Sequence, residues 1–460
     1  MQPDAWENLY TLRLDQPLPS GFDNATADNI HAVMTFGLVK TVLWEGLDKN
    51  DTQEAYLELW EEAVEHIEEL PDSDPRQSHY LADLYMSRAL LHFREGNTLR
   101  GGWQIRKAIR LLTSLSEEFP RYYDHLPLYG LLQGALETVP DQYQWALPTL
   151  GITVEKKGAR SIMLEGLSRA GYHHRLKGEY LTALADMYLF NNPGESLDRL
   201  EILLYKKSNH NLAHHMLVML YLRDFQADNA LIHTQKLEKQ YPEKSHPLPS
   251  VHYMKGEALL RKGLYDDAIR SFDRFLQLNK GQHLVKDVYF KQGLAWYLMG
   301  ERGQSEVAFK NAVHKGVAVT DTDKYAQTIA SGEEELPVPY LVEARLRTDG
   351  GYLDEAIAIL TADRNISSGD TAYETTYRLA RVYHLKRDTA QAVALYKKTI
   401  EMGTGNKYFA PNACLQAGYL LAEQEPEIAR MLFRRAIGYQ DHPYESGIEQ
   451  KAKAALKELP

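Results

Sequence analysis

The chain has 460 residues and carries 52 Lys+Arg against 63 Asp+Glu, a formal charge of −11 that repels phosphate backbones and anionic lipid headgroups and weighs against nucleic-acid partners. Cys414 is the single cysteine, which excludes an intrachain disulfide and any cysteine-built zinc cluster. The longest strongly apolar run, around Leu212–Leu222, is broken by His214 and His215 and is about half the length of a bilayer crossing, so no membrane span is expected.

The opening MQPDAWENLY lacks the basic start and apolar stretch of a secretory signal. Met1 ahead of Gln2-Pro3 also fits an initiator placed on a processed end, so cytoplasmic and exported forms both stand. Trp6, Tyr10 and Leu12 are spaced for one face and suit a terminal cap. In WEEAVEHIEEL (60–70) carboxylates alternate with apolar residues at helical spacing, the pattern of a solvated helix face rather than of paired acids for hydrolysis. SRALLHFREGNTLRGGWQIRKAI then introduces a frame: a small residue, a second small residue twelve on, a bulky one four further and another position three beyond, here Ala89, Gly101, Ile105 and Ala108.

Between about 121 and 200 the frame weakens, and Val139-Pro140-Asp141 and Leu147-Pro148 mark turns between short helices. His173 and His174 are adjacent and diverge on a helix. NHNLAHHM sets His210 and His214 one turn apart, with Asp228 or His233 on the next predicted helix as completing ligands. A metal-dependent helical module or enzyme centred on His210 and His214 is therefore one alternative; ordinary polar positions on an amphipathic helix are the other.

From residue 255 the frame returns in register. KGEALLRKGLYDDAIRSF gives Gly256, Ala268, Phe272 and then Phe275, with Gly263 at the turn. The next segments give Gly293, Ser305, Phe309 and Ala312; Ala344, Ala356 and Leu360; Ala380, Ala392, Tyr396 and Thr399; and Gly418, Phe433 and Ala436, one residue short before Ala429. Adjacent anchors lie 37, 36 and 38 residues apart, and a 51-residue gap holds an insertion at 316–339, read as a surface loop or a partner-contacting one. GTGNKYF (403–409) follows a helix rather than a strand and lacks the third glycine of a phosphate cradle, Cys414 sits at an apolar packing position, and EQKAKAALKELP supplies a polar last helix.

Antiparallel helices approach closely only where small side chains face each other, and bulky rings must then plug the seam to the next pair. The chain thus resembles the tetratricopeptide repeat family on Gly256, Tyr265, Ala268 and Phe272 and their equivalents. The resemblance implies an all-α, right-handed superhelical solenoid of ten to eleven antiparallel helix pairs. The expected divisions are 1–120 (cap and first pairs), 121–200 (divergent) and 201–460 (array with the insertion). In layout the chain also looks similar to the tetratricopeptide repeat protein 39 family and its fungal inclusion-body-clearance relatives, which implies an interaction protein without catalytic residues.

In such arrays the positions three before, one after and four after the first small anchor face inward. Those positions are Tyr253, Glu257, Phe290, Leu294, Tyr297, Tyr377, Arg381, His384 and Tyr419, the candidate contact residues, together with the aliphatic Leu260, Leu415 and Ala422. Only Arg381 suits a carboxylate clamp, so an aromatic-lined groove for a protein or peptide segment is expected, with no cofactor and no metal. The same rings could equally be core. A structural subunit of an envelope assembly is the remaining alternative, and the oligomeric state is left open.

Overall fold

The computed structural model describes residues 4–43, 51–137, 158–190, 192–240, 248–362, 369–403 and 407–459, together with Val139 and Ile152. Among them are 23 helices and no strand, and none of these helices is long and apolar enough to cross a membrane.

The repeating unit is a helix hairpin closed by a glycine and a ring. The Pro249–Lys262 and Tyr265–Leu278 helices meet where Gly256 faces Phe272: an added Cβ would lie 2.5 Å from the ring, closer than any methyl tolerates. The same 2.5 Å separation recurs at Gly293 against Phe309 and at Gly418 against Phe433. Ala268, Ala344, Ala356, Ala380 and Ala392 are fully buried at the equivalent small positions. Gly263 turns the chain between the first two helices with φ of +78°, a conformation that costs glycine nothing.

The chain divides into two compact units. The first comprises Met1–Leu259, Tyr265–Ala295 and Gly303–Glu334. Within it the Pro75–Arg94 and Thr98–Glu118 helices form one hairpin, the former started by Asp74, whose carboxylate caps Arg76 N ahead of Pro75. Leu126–Glu137 pairs with Ala159–Arg169, and Asn211–Arg223 with Ala227–Gln240. Asp186 is fully buried and is compensated by Arg160 Nε at 2.8 Å and Ser196 Oγ at 2.6 Å, which ties three successive helices together. The two Pro-marked turns anticipated at Val139–Asp141 and Leu147-Pro148 lie, apart from Val139, outside the described residues.

The 316–339 insertion is not a plain loop. Asp321–Ala330 is a helix with Ala326 and Ile329 buried. Its Asp323 carboxylate accepts from Leu284 N at 2.7 Å and Asp287 N at 3.0 Å, capping the Val285–Met299 helix.

The second unit comprises Leu260–Leu264, Trp296–Arg302 and Glu335–Pro460. Its hairpins are Pro339–Gly350 with Leu353–Thr361, Gly369–Leu385 with Thr389–Met402, and Phe409–Leu421 with Pro426–Gly438. Glu445–Glu458 packs on the Phe409–Leu421 and Pro426–Gly438 hairpin, burying Ile448, Ala452 and Ala455 and leaving its lysines outside. Cys414 lies in the core among Tyr377, Tyr396 and Phe433, and burial pushes its thiol up to about 12.

Candidate functional site

In the first unit, two of the inward positions belong to one buried polar network. Tyr253 OH donates to Asp287 Oδ2 at 2.8 Å, and Lys291 Nζ reaches Glu257 Oε1 at 2.8 Å and Tyr253 OH at 2.9 Å while pairing with Asp287. Burial pushes the Asp287 carboxyl up against the pull of Lys291. Burial alone would lower the Lys291 ammonium, yet Asp287 and Glu257 together hold it well above its ordinary value. Phe290 and Leu294 are buried, with Phe290 packed 5.7 Å from both Phe309 and Tyr325.

In the second unit, Tyr377 is buried against Phe409 at 5.1 Å, and its hydroxyl accepts from Asn412 Nδ2 at 2.7 Å. Arg381 donates to Gln416 Oε1 at 3.3 Å, and His384 Nδ1 lies 3.1 Å from Tyr396 OH. Tyr297 is partly exposed and its hydroxyl donates to Pro337 O at 3.4 Å; Tyr419 is 44% exposed, edge-on to Phe433. Phe290, Leu294 and Tyr377 therefore pack, whereas Tyr297, Arg381, His384 and Tyr419 keep part of their surface open.

The N-terminal segment does more than cap. Its short helix, Ala5–Tyr10, is started by Asp4, which accepts from Trp6 N at 3.0 Å. Trp6 stacks on His173 at 5.2 Å with planes 10° apart, and Tyr10 stacks on His210 at 5.1 Å. Polar side chains hold the backbone beyond: Asn211 Nδ2 donates to Thr11 O at 2.8 Å, and Lys40 Nζ to Gln16 O at 2.7 Å. Leu12 and Leu14 are fully buried. The segment thus reaches partners up to 200 positions along the chain.

His210 and His214 do not build a common site. His210 serves as the stacking partner of Tyr10, whereas His214 Nδ1 meets His233 Nδ1 at 2.8 Å and His233 Nε2 turns to Glu201 at 3.0 Å. His215 pairs with Ser250 Oγ at 3.0 Å. Among the described residues, the group of three His/Cys/Asp/Glu whose ligand atoms converge, within 4.8 Å, is His31, His79 and Asp83. Asp83 Oδ2 lies 2.7 Å from His31 Nε2, 3.4 Å from His79 Nε2 and 2.5 Å from Lys177 Nζ. His31 is sandwiched on Tyr80 at 4.1 Å, and His79 Nδ1 lies 2.8 Å from Tyr122 OH. Burial, then Lys177, holds His31 down to about 4; burial would raise Asp83, but Lys177 and His31 hold it well below the usual carboxylate range. Of this cluster only the His79/Asp83 spacing of four was visible in the sequence.

No family model matches the sequence, and no curated protein matches it. The chain is similar to several solved structures. One is a tetratricopeptide repeat protein from Parabacteroides merdae, 16% identical, covering 60% of this chain and 99% of that one, with a TM-score of 0.26. Another is yeast Tom70, 14% identical, covering 88% and 93%, with a TM-score of 0.24. A third is the human IFIT1 dimer with m7Gppp-AAAA, 14% identical, covering 99% and 95%, with a TM-score of 0.33. The described residues have the fold of a tetratricopeptide-like helical repeat, a row of antiparallel helix hairpins in which small residues face rings. The glycine-to-ring hairpins carry that statement, while the narrower likeness to the tetratricopeptide repeat protein 39 family rests on layout alone.

Proposed function

We propose that this chain is a non-catalytic interaction scaffold that recognises a protein or peptide segment on the inner positions of its helix pairs. The observation that supports it most is that the protein grips a peptide segment already, its own residues 4–16. It does so with stacked rings at Trp6 and Tyr10 and with side-chain amide and ammonium groups on backbone carbonyls at Thr11 and Gln16. Such a grip reads shape, aromatic spacing and free carbonyls, the chemistry of an extended or helical protein segment. Tyr253, Glu257, Tyr297, Arg381, His384 and Tyr419 are the contact residues of this reading, and Phe290, Leu294 and Tyr377, being buried, belong to the core instead.

A crosslinking pull-down from the source cell tests it, comparing the wild type with a Tyr297→Ala, Arg381→Ala, Tyr419→Ala variant. These three side chains are partly exposed, so the variant retains the hairpin cores. Selective loss of one or more partners is expected; equal recovery of every partner moves binding away from these residues.

A further inference from the structure

We propose that His31, His79 and Asp83 form a binding site for a divalent transition metal of the zinc class, and that Lys177 is the resident cation which leaves when the metal enters. The site joins three helices of the first unit, Ala27–Leu43, Pro75–Arg94 and Tyr172–Tyr188, and His31 also meets the Trp6 ring edge-on at 5.7 Å.

Two close contacts compete for one atom. His31 Nε2 faces Asp83 Oδ2 at 2.7 Å and Lys177 Nζ at 3.2 Å. A neutral imidazole nitrogen donates to the carboxylate or accepts from the ammonium but not both, so one of these two close contacts is made without a hydrogen bond. A metal ion at the ammonium position removes the conflict. It takes the Nε2 lone pairs of His31 and His79 and an Asp83 oxygen, a two-imidazole, one-carboxylate set suited to zinc and its neighbours.

The surroundings fit that role. The Tyr122 hydroxyl lies on His79 Nδ1 at 2.8 Å, the outer contact that leaves Nε2 directed at the metal. The Tyr80 ring clamps the plane of His31 at 4.1 Å. Both imidazoles are nearly inaccessible to water, whereas the Lys177 side chain, at 16% exposed, is the most open of the four and its long stem can swing outward. Its departure leaves a fourth coordination position for water or another ligand.

The test is cobalt and zinc titration of the full chain, with cobalt absorption bands and calorimetry as readouts and helical circular dichroism as the check on folding. One equivalent of tetrahedral cobalt is expected in the wild type. Affinity should fall at least 100-fold in His79→Gln, rise about 10-fold in Lys177→Gln and stay unchanged in His214→Gln. X-ray absorption of the zinc-loaded wild type needs no variant and should count two imidazoles and one carboxylate. No uptake by the wild type, fewer than two imidazoles, or loss of uptake in His214→Gln overturns the proposal.

Discussion

Gly256 and Phe272 stand in direct opposition across the seam of one hairpin, and a methyl on the former would lie 2.5 Å from the ring of the latter. Replacing a helical glycine by alanine ordinarily stabilises by about 1 kcal/mol. Here the sign reverses, because the buried ring has nowhere to go: Gly256→Ala and Gly418→Ala should each destabilise by about 1–3 kcal/mol. Gly102 lies in a helix with nothing within 4 Å of its would-be Cβ, so Gly102→Ala should stabilise by roughly 0.5–1 kcal/mol. Urea unfolding of the three variants measures this, and a common sign for all three would remove the close-approach explanation of the repeat.

The network around Lys291 yields a second expectation. Lys291→Met leaves the Asp287 and Glu257 carboxylates buried side by side without their cation, which should cost about 3–5 kcal/mol. Adding Asp287→Asn removes one of the two repelling charges and should recover part of that loss. Thermal melts of the single and double variants compare the two; an additive loss in the double variant would show that the charges act independently.

Acid should weaken the fold through its buried histidines. Burial holds His215 down to about 4, and His210 and His214 are held there as well, against an ordinary value of 6.5. Above pH 6.5 these rings are neutral in both states. As pH falls from 6.5 toward 4 the unfolded chain takes up protons first, so stability is lost across that window, by roughly 3 kcal/mol for the fully buried His215. His215→Gln, which can still meet Ser250, should flatten the slope of stability against pH between those limits. An unchanged slope would exclude His215 as a contributor.

Cys414 is a built-in reporter for the second unit. Fully buried and with its thiol raised to about 12, it should resist a thiol reagent in the native protein and react at the rate at which that core opens. Stoichiometric labelling within seconds, without denaturant, would contradict the core placement.

What was legible in the sequence follows from distance along the chain. The seam from Gly256 to Phe272 spans sixteen positions, so small and bulky residues at fixed offsets record it directly. The helix of each inner position was legible for the same reason. Its exposure was not: Phe290 and Tyr377 occupy inward offsets, but neighbouring rings cover them, and a periodicity holds no information about the neighbour's bulk. The insertion hid its helix because DTDKYAQTIA is short and polar, and only its role in capping Val285–Met299 shows why it folds. The His31, His79, Asp83 and Lys177 cluster draws on helices far apart in the chain, and His210 looked like a metal ligand only because its partner, Tyr10, lies 200 positions away.

The grip on residues 4–16 sets an order of events during synthesis. This stretch leaves the ribosome well ahead of its seats, since His173, His210 and Asn211 emerge more than 150 residues later. At about 5–20 residues per second it waits for many seconds, with Trp6, Leu12 and Leu14 unsheltered. A nascent-chain chaperone therefore has its natural window over that interval, and a bulky fusion placed ahead of Asp4 would hinder the last step of folding rather than the first.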